Sequence, residues 1–257
     1  MTTIHPTAII DSKAELAADV EIGPYCVVGP NVKIGPATRL LSHVILDGHT
    51  TLGQGCAIFP FAAIGTQTQD LKFKGGLTFV QIGDHTTLRE YVTVNSGTNE
   101  GDVTQVGARC HVMAYCHVAH QCVVGNDVIM SNGATLAGHV LVEDCAVIGG
   151  LCGVHQFVRI GTMSILGGCS KATQDIPPFM MADGNPAGVH GLNSVGLERR
   201  NVSEESRKLL KDAYKILYRQ NLTAKAAVEK MRLDLPANPE VAHLIEFVQS
   251  SQRGIAR

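Results

Sequence analysis

Tryptophan is absent from the 257 residues, and aromatic side chains make up only 5% of them. So few large rings do not fill a broad globular core, and they suit a narrow one built from Ile, Val, Leu, Ala and Cys. Charge is sparse as well, at 17% of residues with a net charge of −2, and no nucleic-acid partner is expected. No C-x-x-C pair occurs among the eight cysteines, which argues against a thiolate metal site or a redox pair. The amino terminus, MTTIHPTAII, lacks a basic segment and a continuous apolar run, so no secretory signal is read there. No stretch approaches the roughly 20 apolar residues that cross a bilayer. These absences lead to the expectation of a cytoplasmic protein with free thiols and no membrane-spanning segment.

What is present is a period of six. Ile, Leu, Val or Met occupies 25 of the 28 positions at every sixth residue from Ile4 to Leu166. The three exceptions, Asp70, Gly76 and Glu100, lie in two stretches that read as loops. Four residues after each of these positions the side chain is small or β-branched, as in Ala8, Val20, Cys26, Thr38, Cys56 and Ala62. Cys26, Cys56, Cys110, Cys116, Cys122 and Cys152 all belong to this column, which marks them as packing residues. An α-helix repeats its apolar face every 3.6 residues and a strand every two, so neither explains the pattern. A hexapeptide repeat signals a parallel β-helix, an all-β solenoid in which three hexads make one coil of eighteen residues. Stacked coils lie roughly 4.8 Å apart and share their burial with neighbours.

The pattern divides the chain into a solenoid over residues 1–190 and a helical domain over 191–257. Polar or Gly-rich insertions are expected at 66–81 and 95–105, where loops on a rigid scaffold carry recognition groups. Pro177 and Pro178 are expected to forbid another regular coil, and GNPAG at Gly184–Gly188 to form a turn. Beyond them Ser203 is a candidate N-cap for a helix whose buried face is Leu209, Leu210, Ala213, Ile216 and Leu217. Residues 192–257 hold 12 Lys/Arg against 8 Asp/Glu, while the remainder holds 9 against 15. A basic helical appendage on an acidic solenoid suggests an anionic partner, although ordinary solvated helix faces give the same charge pattern.

Histidine is the informative titratable residue, since five of the eleven fall between positions 111 and 155. Adding eighteen to His120 reaches Gly138, next to His139, and adding eighteen again reaches Gln156, next to His155. These residues are therefore expected on successive coils along one edge, pointing outward. A neutral imidazole there suits a general base. Three histidines also suit a zinc ion that activates water. The spacing alone leaves both chemistries open.

Longer motifs carry a closer resemblance. HVAHQC at His117–Cys122, LAGHV at Leu136–Val140, GVHQF at Gly153–Phe157 and GGCS at Gly167–Ser170 are joined by QDIPP at Gln174–Pro178. With QDLKF at Gln69–Phe73, GNPA at Gly184–Ala187 and GLNSVGLERR at Gly191–Arg200, the chain resembles the UDP-N-acetylglucosamine O-acyltransferases that begin lipid A synthesis. The resemblance spans nearly the whole chain. It implies a left-handed parallel β-helix with a C-terminal α-helical domain, assembled as a homotrimer with its sites between subunits. The implied substrates are UDP-N-acetylglucosamine and an (R)-3-hydroxyacyl-acyl carrier protein, with no cofactor and no metal.

By the same resemblance His120 is the general base and Gly138 supplies the backbone N–H that stabilises the oxyanion. Gln69, Asp70 and Lys72 would position the sugar, and His117, His139, His155 and Gln156 would line the cleft. Asn193, Arg199 and Arg200 correspond to residues near the UDP end, where a guanidinium fork suits a diphosphate. Gly168 matches the acyl-chain ruler, and its missing side chain implies an open groove and a long acyl chain. Gln121, Asn95 and Val195 depart from positions where other members carry Asp, His and Glu. Such departures keep a 3-amino UDP-sugar as an alternative acceptor. A γ-carbonic-anhydrase-type zinc lyase, which shares the coil, would lack both the QDLKF insertion and the basic helical tail.

Overall fold

The computed structural model describes residues 1–257. Short parallel strands, most of them two residues long, form three sheets of 11, 9 and 8 strands. Successive strands belong to the first, second and third sheet in turn, so the chain winds around a triangular prism. The corner after the first sheet is called the first corner here, that after the second sheet the second, and that after the third sheet the third. In Glu21–Ile22, Lys33–Ile34 and Arg39–Leu40 the leading residue is exposed and the following one buried. Alternation along a strand sends one side chain out and the next in, so each sixth residue enters the core. Registers such as Val118↔Leu136↔Val154 stack these residues one coil above another.

The small-residue column closes the turns. Val20, Val44, Cys116 and Cys122 are fully buried there. Cys116 and Cys122 donate their S–H to carbonyls on the next coil, Ser131 O at 3.0 Å and Ala137 O at 3.1 Å, and Thr38 Oγ1 does the same to Gly53 O at 2.8 Å. Burial pushes the Cys122 thiol up to about 12, so it stays protonated. All six cysteines of the column are buried, whereas Cys145 is half-buried and Cys169 exposed. Some turn positions tolerate only glycine: a Cβ on Gly107 would lie 2.4 Å from the carbonyl oxygen of Gly125 on the coil above.

Three features differ from the sequence expectation. Ile4 is 45% exposed and Ile10 and Leu16 are only half-buried, because no coil lies beneath the open end. The insertions are shorter than 66–81 and 95–105: Phe79–Ile82 and Val103–Val106 are paired strands of the third sheet, and Asn95 ends a strand of the second. Winding also continues past the paired prolines. Ile176 bridges to Ile160, and Met180–Gly184 pairs in parallel with Ile165–Leu166 before turning into an antiparallel strand, Ala187–Leu192. The prolines sit in the corner rather than in a strand, where a missing N–H costs nothing.

Four helices follow: α1 (Ser194–Arg199), α2 (Glu204–Arg219), α3 (Ala224–Asp234) and α4 (Pro239–Ser250). The Ser203 hydroxyl accepts from Ser206 N–H and caps α2, whose Leu210, Ala213, Ile216 and Leu217 are buried. The helices dock on the third corner, where His243 Nε2 meets Glu143 Oε2 at 2.8 Å. Glu143 also accepts from the Thr162 N–H at 2.8 Å. Burial alone would raise the Glu143 carboxyl, yet the bonds from His243 and Thr162 outweigh it and hold the group below its ordinary range. The bond to Glu143 in turn raises His243. No helix is long and apolar enough to cross a membrane.

Candidate active site

Both insertions emerge at the second corner, and so do the turns that carry His120, Gly138 and Gln156. The stacking is direct: His139 N–H donates to His120 O at 3.0 Å, and Phe157 N–H donates to Gly138 O at 3.2 Å. Together they form a cleft of about 550 Å³. One wall is Gln69, Asp70, Leu71 and Lys72 from the first insertion; the other is His117, His120, Gly138 and Gln156, with Asn95, Ala119 and Ala137 between.

His120 is largely enclosed, with its side chain 12% exposed against 19% for Asp70 opposite. Its Nε2 faces Asp70 Oδ2 across 3.9 Å. The ring lies over Gly138, where a Cβ would sit 2.2 Å from Cε1 and 2.4 Å from Nε2. Glycine is required at 138 by the imidazole, not by backbone conformation, since the residue lacks a positive φ. The Gly138 N–H has no acceptor within the chain. His120 Nδ1 contacts Gln121 Oε1. Gln121 Nε2 in turn contacts Asp102 Oδ2.

Neighbouring groups are held in defined states. Asp70 Oδ1 accepts from the Lys72 backbone N–H at 3.0 Å and Oδ2 from the Thr98 hydroxyl at 3.3 Å. These bonds, the Lys72 N–H first, hold the carboxyl below its usual range and keep it ionised. His117 shares a 2.7 Å bond with the Thr93 hydroxyl, and His139 stacks on Phe157 with centroids 4.7 Å apart. Burial first, and then the proximity of His120, lowers both imidazoles and favours their neutral forms. His155 is exposed beside Gln156. Asn95 is 3% exposed and donates to Thr66 Oγ1 at 3.0 Å, while its Oδ1 is buried without a partner.

Residues 175–256 match the family described as UDP-N-acetylglucosamine O-acyltransferase, domain 2, and residues 1–36 and 104–138 match the bacterial transferase hexapeptide repeat. The acyl-acyl-carrier-protein-UDP-N-acetylglucosamine O-acyltransferase of Thermodesulfovibrio yellowstonii is 54% identical over 100% of both chains. That of Syntrophobacter fumaroxidans is 47% identical over 99% of both. Among solved structures, LpxA of Acinetobacter baumannii superposes with a TM-score of 0.95 at 41% identity, covering 99% of each chain. The LpxA of Bacteroides fragilis reaches 0.97 at 37% identity, over 99% of this chain and all of that one. The chain belongs to the UDP-N-acetylglucosamine O-acyltransferase family.

As in the solved members of that family, the fold is a left-handed parallel β-helix with a C-terminal helical region. Within one copy of this acyltransferase-family chain, however, the residues singled out from sequence do not all meet. Gly168 follows a strand of the first sheet and lies exposed at the first corner. A Cβ there would meet nothing nearer than Gly150 O, at 3.5 Å, and φ is not positive, so neither sterics nor backbone demands glycine. Asn193 caps α1 and donates to Met163 O at 2.9 Å, and Arg200 reaches Asp127, both at the third corner. Arg199, beside Arg200 in α1, is exposed. Asp102 and Thr98 escaped the sequence reading, although subtracting eighteen from His120 lands on Asp102.

Proposed function

We propose that this protein transfers an (R)-3-hydroxyacyl group from acyl carrier protein to the 3-hydroxyl of UDP-N-acetylglucosamine, the first step of lipid A biosynthesis, in the cytoplasm. The observation that carries this reading is an imidazole, His120, seated over a glycine whose N–H is unpaired, in a cleft walled by Asp70 and Lys72. His120 Nε2 takes the proton from the hydroxyl as that oxygen attacks the thioester carbonyl carbon. The carbonyl oxygen becomes an oxyanion, which the Gly138 N–H stabilises. Collapse breaks the C–S bond, and His120 returns the proton to the leaving thiolate. Transfer is direct, so no side-chain nucleophile and no cofactor enters. The O-acyltransferase names of the full-length relatives favour a hydroxyl acceptor over a 3-amino one. No three His, Cys, Asp or Glu side chains converge on a common point, and family membership speaks against the zinc-lyase alternative.

Asp70, with Lys72 and Gln69, positions the sugar, and the buried acceptor Asn95 Oδ1 takes a hydrogen bond from it. His117 and Gln156 line the cleft, whereas His139, packed between His120 and Phe157, and the exposed His155 stand outside its walls within one copy. The distribution over corners supports a homotrimer. The general base lies at the second corner, the ruler Gly168 at the first, and Asn193, Arg199 and Arg200 at the third or on the helix beside it. A rigid prism cannot fold its corners together. Three copies around an axis bring corners of different copies into one cleft, so that a neighbour completes the diphosphate and acyl subsites. The test is turnover of purified protein with UDP-N-acetylglucosamine and a series of 3-hydroxyacyl carrier proteins. His120→Ala is expected to lower kcat by roughly 10²- to 10⁴-fold with the trimer intact by sedimentation. Near-normal turnover would remove His120 from the role of base.

A further inference from the structure

We infer that Asp102 is a positioning residue, fixing the tautomer of His120 through the side-chain amide of Gln121. The inference deepens the reading of His120 as general base and rests on it. Asp102 sits at the end of the second insertion, one coil below His120, and Gln121 bridges them. The bridge is pinned elsewhere too: Gln121 N–H donates to Thr104 Oγ1 at 2.9 Å, and φ at Gln121 is 52°. Asp102 Oδ2 is itself held, accepting from the Asn99 backbone N–H at 2.7 Å and from Asn99 Nδ2 at 3.1 Å.

The chemistry then runs in one direction. A carboxylate only accepts, so the NH₂ end of Gln121 must face Asp102 and its carbonyl oxygen must face His120. An amide oxygen also only accepts, so the neutral imidazole must carry its proton on Nδ1. The lone pair is left on Nε2, the atom that faces Asp70 and the cleft. Without Asp102 the amide is free to turn over. Its NH₂ would then face Nδ1 and hold the other tautomer, in which Nε2 bears hydrogen and cannot accept a proton from substrate. A glutamine that adds no charge of its own thus still sets the state of the base, because a carboxylate behind it sets the glutamine.

The test combines kinetics with ¹⁵N NMR of histidine-labelled protein, the His120 signals being assigned by their loss in His120→Gln. Asp102→Ala is expected to lower kcat at least about tenfold with KM for the UDP-sugar nearly unchanged. The loss is bounded by the roughly 10⁴-fold that a wrong tautomer costs a catalytic histidine. Gln121→Ala, which leaves the Asp102 loop bonds in place, should match that loss, and the double variant should lose no more than either alone. In the Asp102→Ala background, Gln121→Glu should recover most of kcat by placing a carboxylate against Nδ1 directly. The His120 nitrogen shifts should read Nδ1–H in the native protein and a mixture in Asp102→Ala. Unchanged shifts in Asp102→Ala, or a kcat loss that Gln121→Glu fails to recover, would overturn the inference. Because the shifts report the tautomer whether or not His120 is the base, a failure of the base assignment shows separately, as turnover retained in His120→Ala.

Discussion

Gly138→Ala tests the site with a single methyl group. The added Cβ would lie 2.2 Å from Cε1, 2.4 Å from Nε2 and 2.8 Å from Nδ1 of His120. Carbon atoms in ordinary contact sit about 3.5–4.0 Å apart, so the ring must retreat by more than about 1 Å. It cannot slide freely, because Gln121 holds its Nδ1 edge and His139 packs edge-on against it with ring centroids 5.3 Å apart. The imidazole must swing to another rotamer and take Nε2 out of line with the acceptor hydroxyl. A displacement of about 1 Å at the reacting atoms costs on the order of 10²-fold. The Gly138 N–H and the Gln69–Lys72 wall remain, so the loss is expected in kcat, with KM for the UDP-sugar within about threefold. Steady-state kinetics measure this, with thermal melting to show that the solenoid is intact. Gly168→Ala is the matched control: its Cβ would meet nothing closer than 3.5 Å and should leave the melting temperature unchanged. A Gly138→Ala enzyme with native kcat would show that the ring over Gly138 is not the catalytic base.

Three further expectations follow from other parts of the molecule. Gly168→Met should shift preference toward shorter acyl chains while preserving turnover on them, read from a chain-length ladder; an unshifted profile would refute the ruler role. The His243–Glu143 contact makes stability depend on pH. Because His243 is raised in the folded state, its contribution is complete below the unfolded histidine pKa of about 6.5 and is lost as pH rises through the higher folded value. Glu143 is lowered, so its contribution is present above the unfolded value of about 4.3 and is lost as pH falls through the folded one. The melting-temperature gap between the native protein and His243→Gln should therefore be widest near pH 5–6 and shrink toward pH 9; a pH-independent gap would contradict this. Finally, Lys208, Lys211 and Lys215 are exposed on α2, and KM for the acidic carrier protein should rise with added salt. Salt-independent kinetics would leave this basic face without a role in docking.

Legibility in the sequence followed the geometry of the coil. Wherever the eighteen-residue step held, positions far apart in the chain could be stacked by counting, and His120, Gly138 and Gln156 meet as counted. The step also holds from Asp102 to His120, but the polar stretch 95–105 reads as a loop outside the lattice, and the count therefore stops one coil short. Polarity misleads there: Val103–Gln105 read as a continuation of a polar stretch holding two glycines, yet Val103 and Gln105 pair in register with neighbouring strands. The paired prolines misled in the opposite way. Pro177 and Pro178 are compatible with winding because they occupy a corner, where no ladder bond is needed.

The sequence by itself determined the prism and its core, because a side chain every six residues has one lattice in which it can be buried and stacked. It also determined which corner carries the histidines, since stacking is arithmetic once the step is known. Only the tertiary structure decided how the imidazole is held. The Asp102–Gln121–His120 chain, the ring seated over Gly138 and the buried unpaired oxygen of Asn95 depend on rotamers and on how far each insertion loop bends back. The separation of His120, Gly168 and the arginines over three corners likewise appeared only once the coils were wound. Periodicity dictates backbone path through repeated burial, whereas the direction of a hydrogen bond between three polar side chains is a local contest that no repeat encodes.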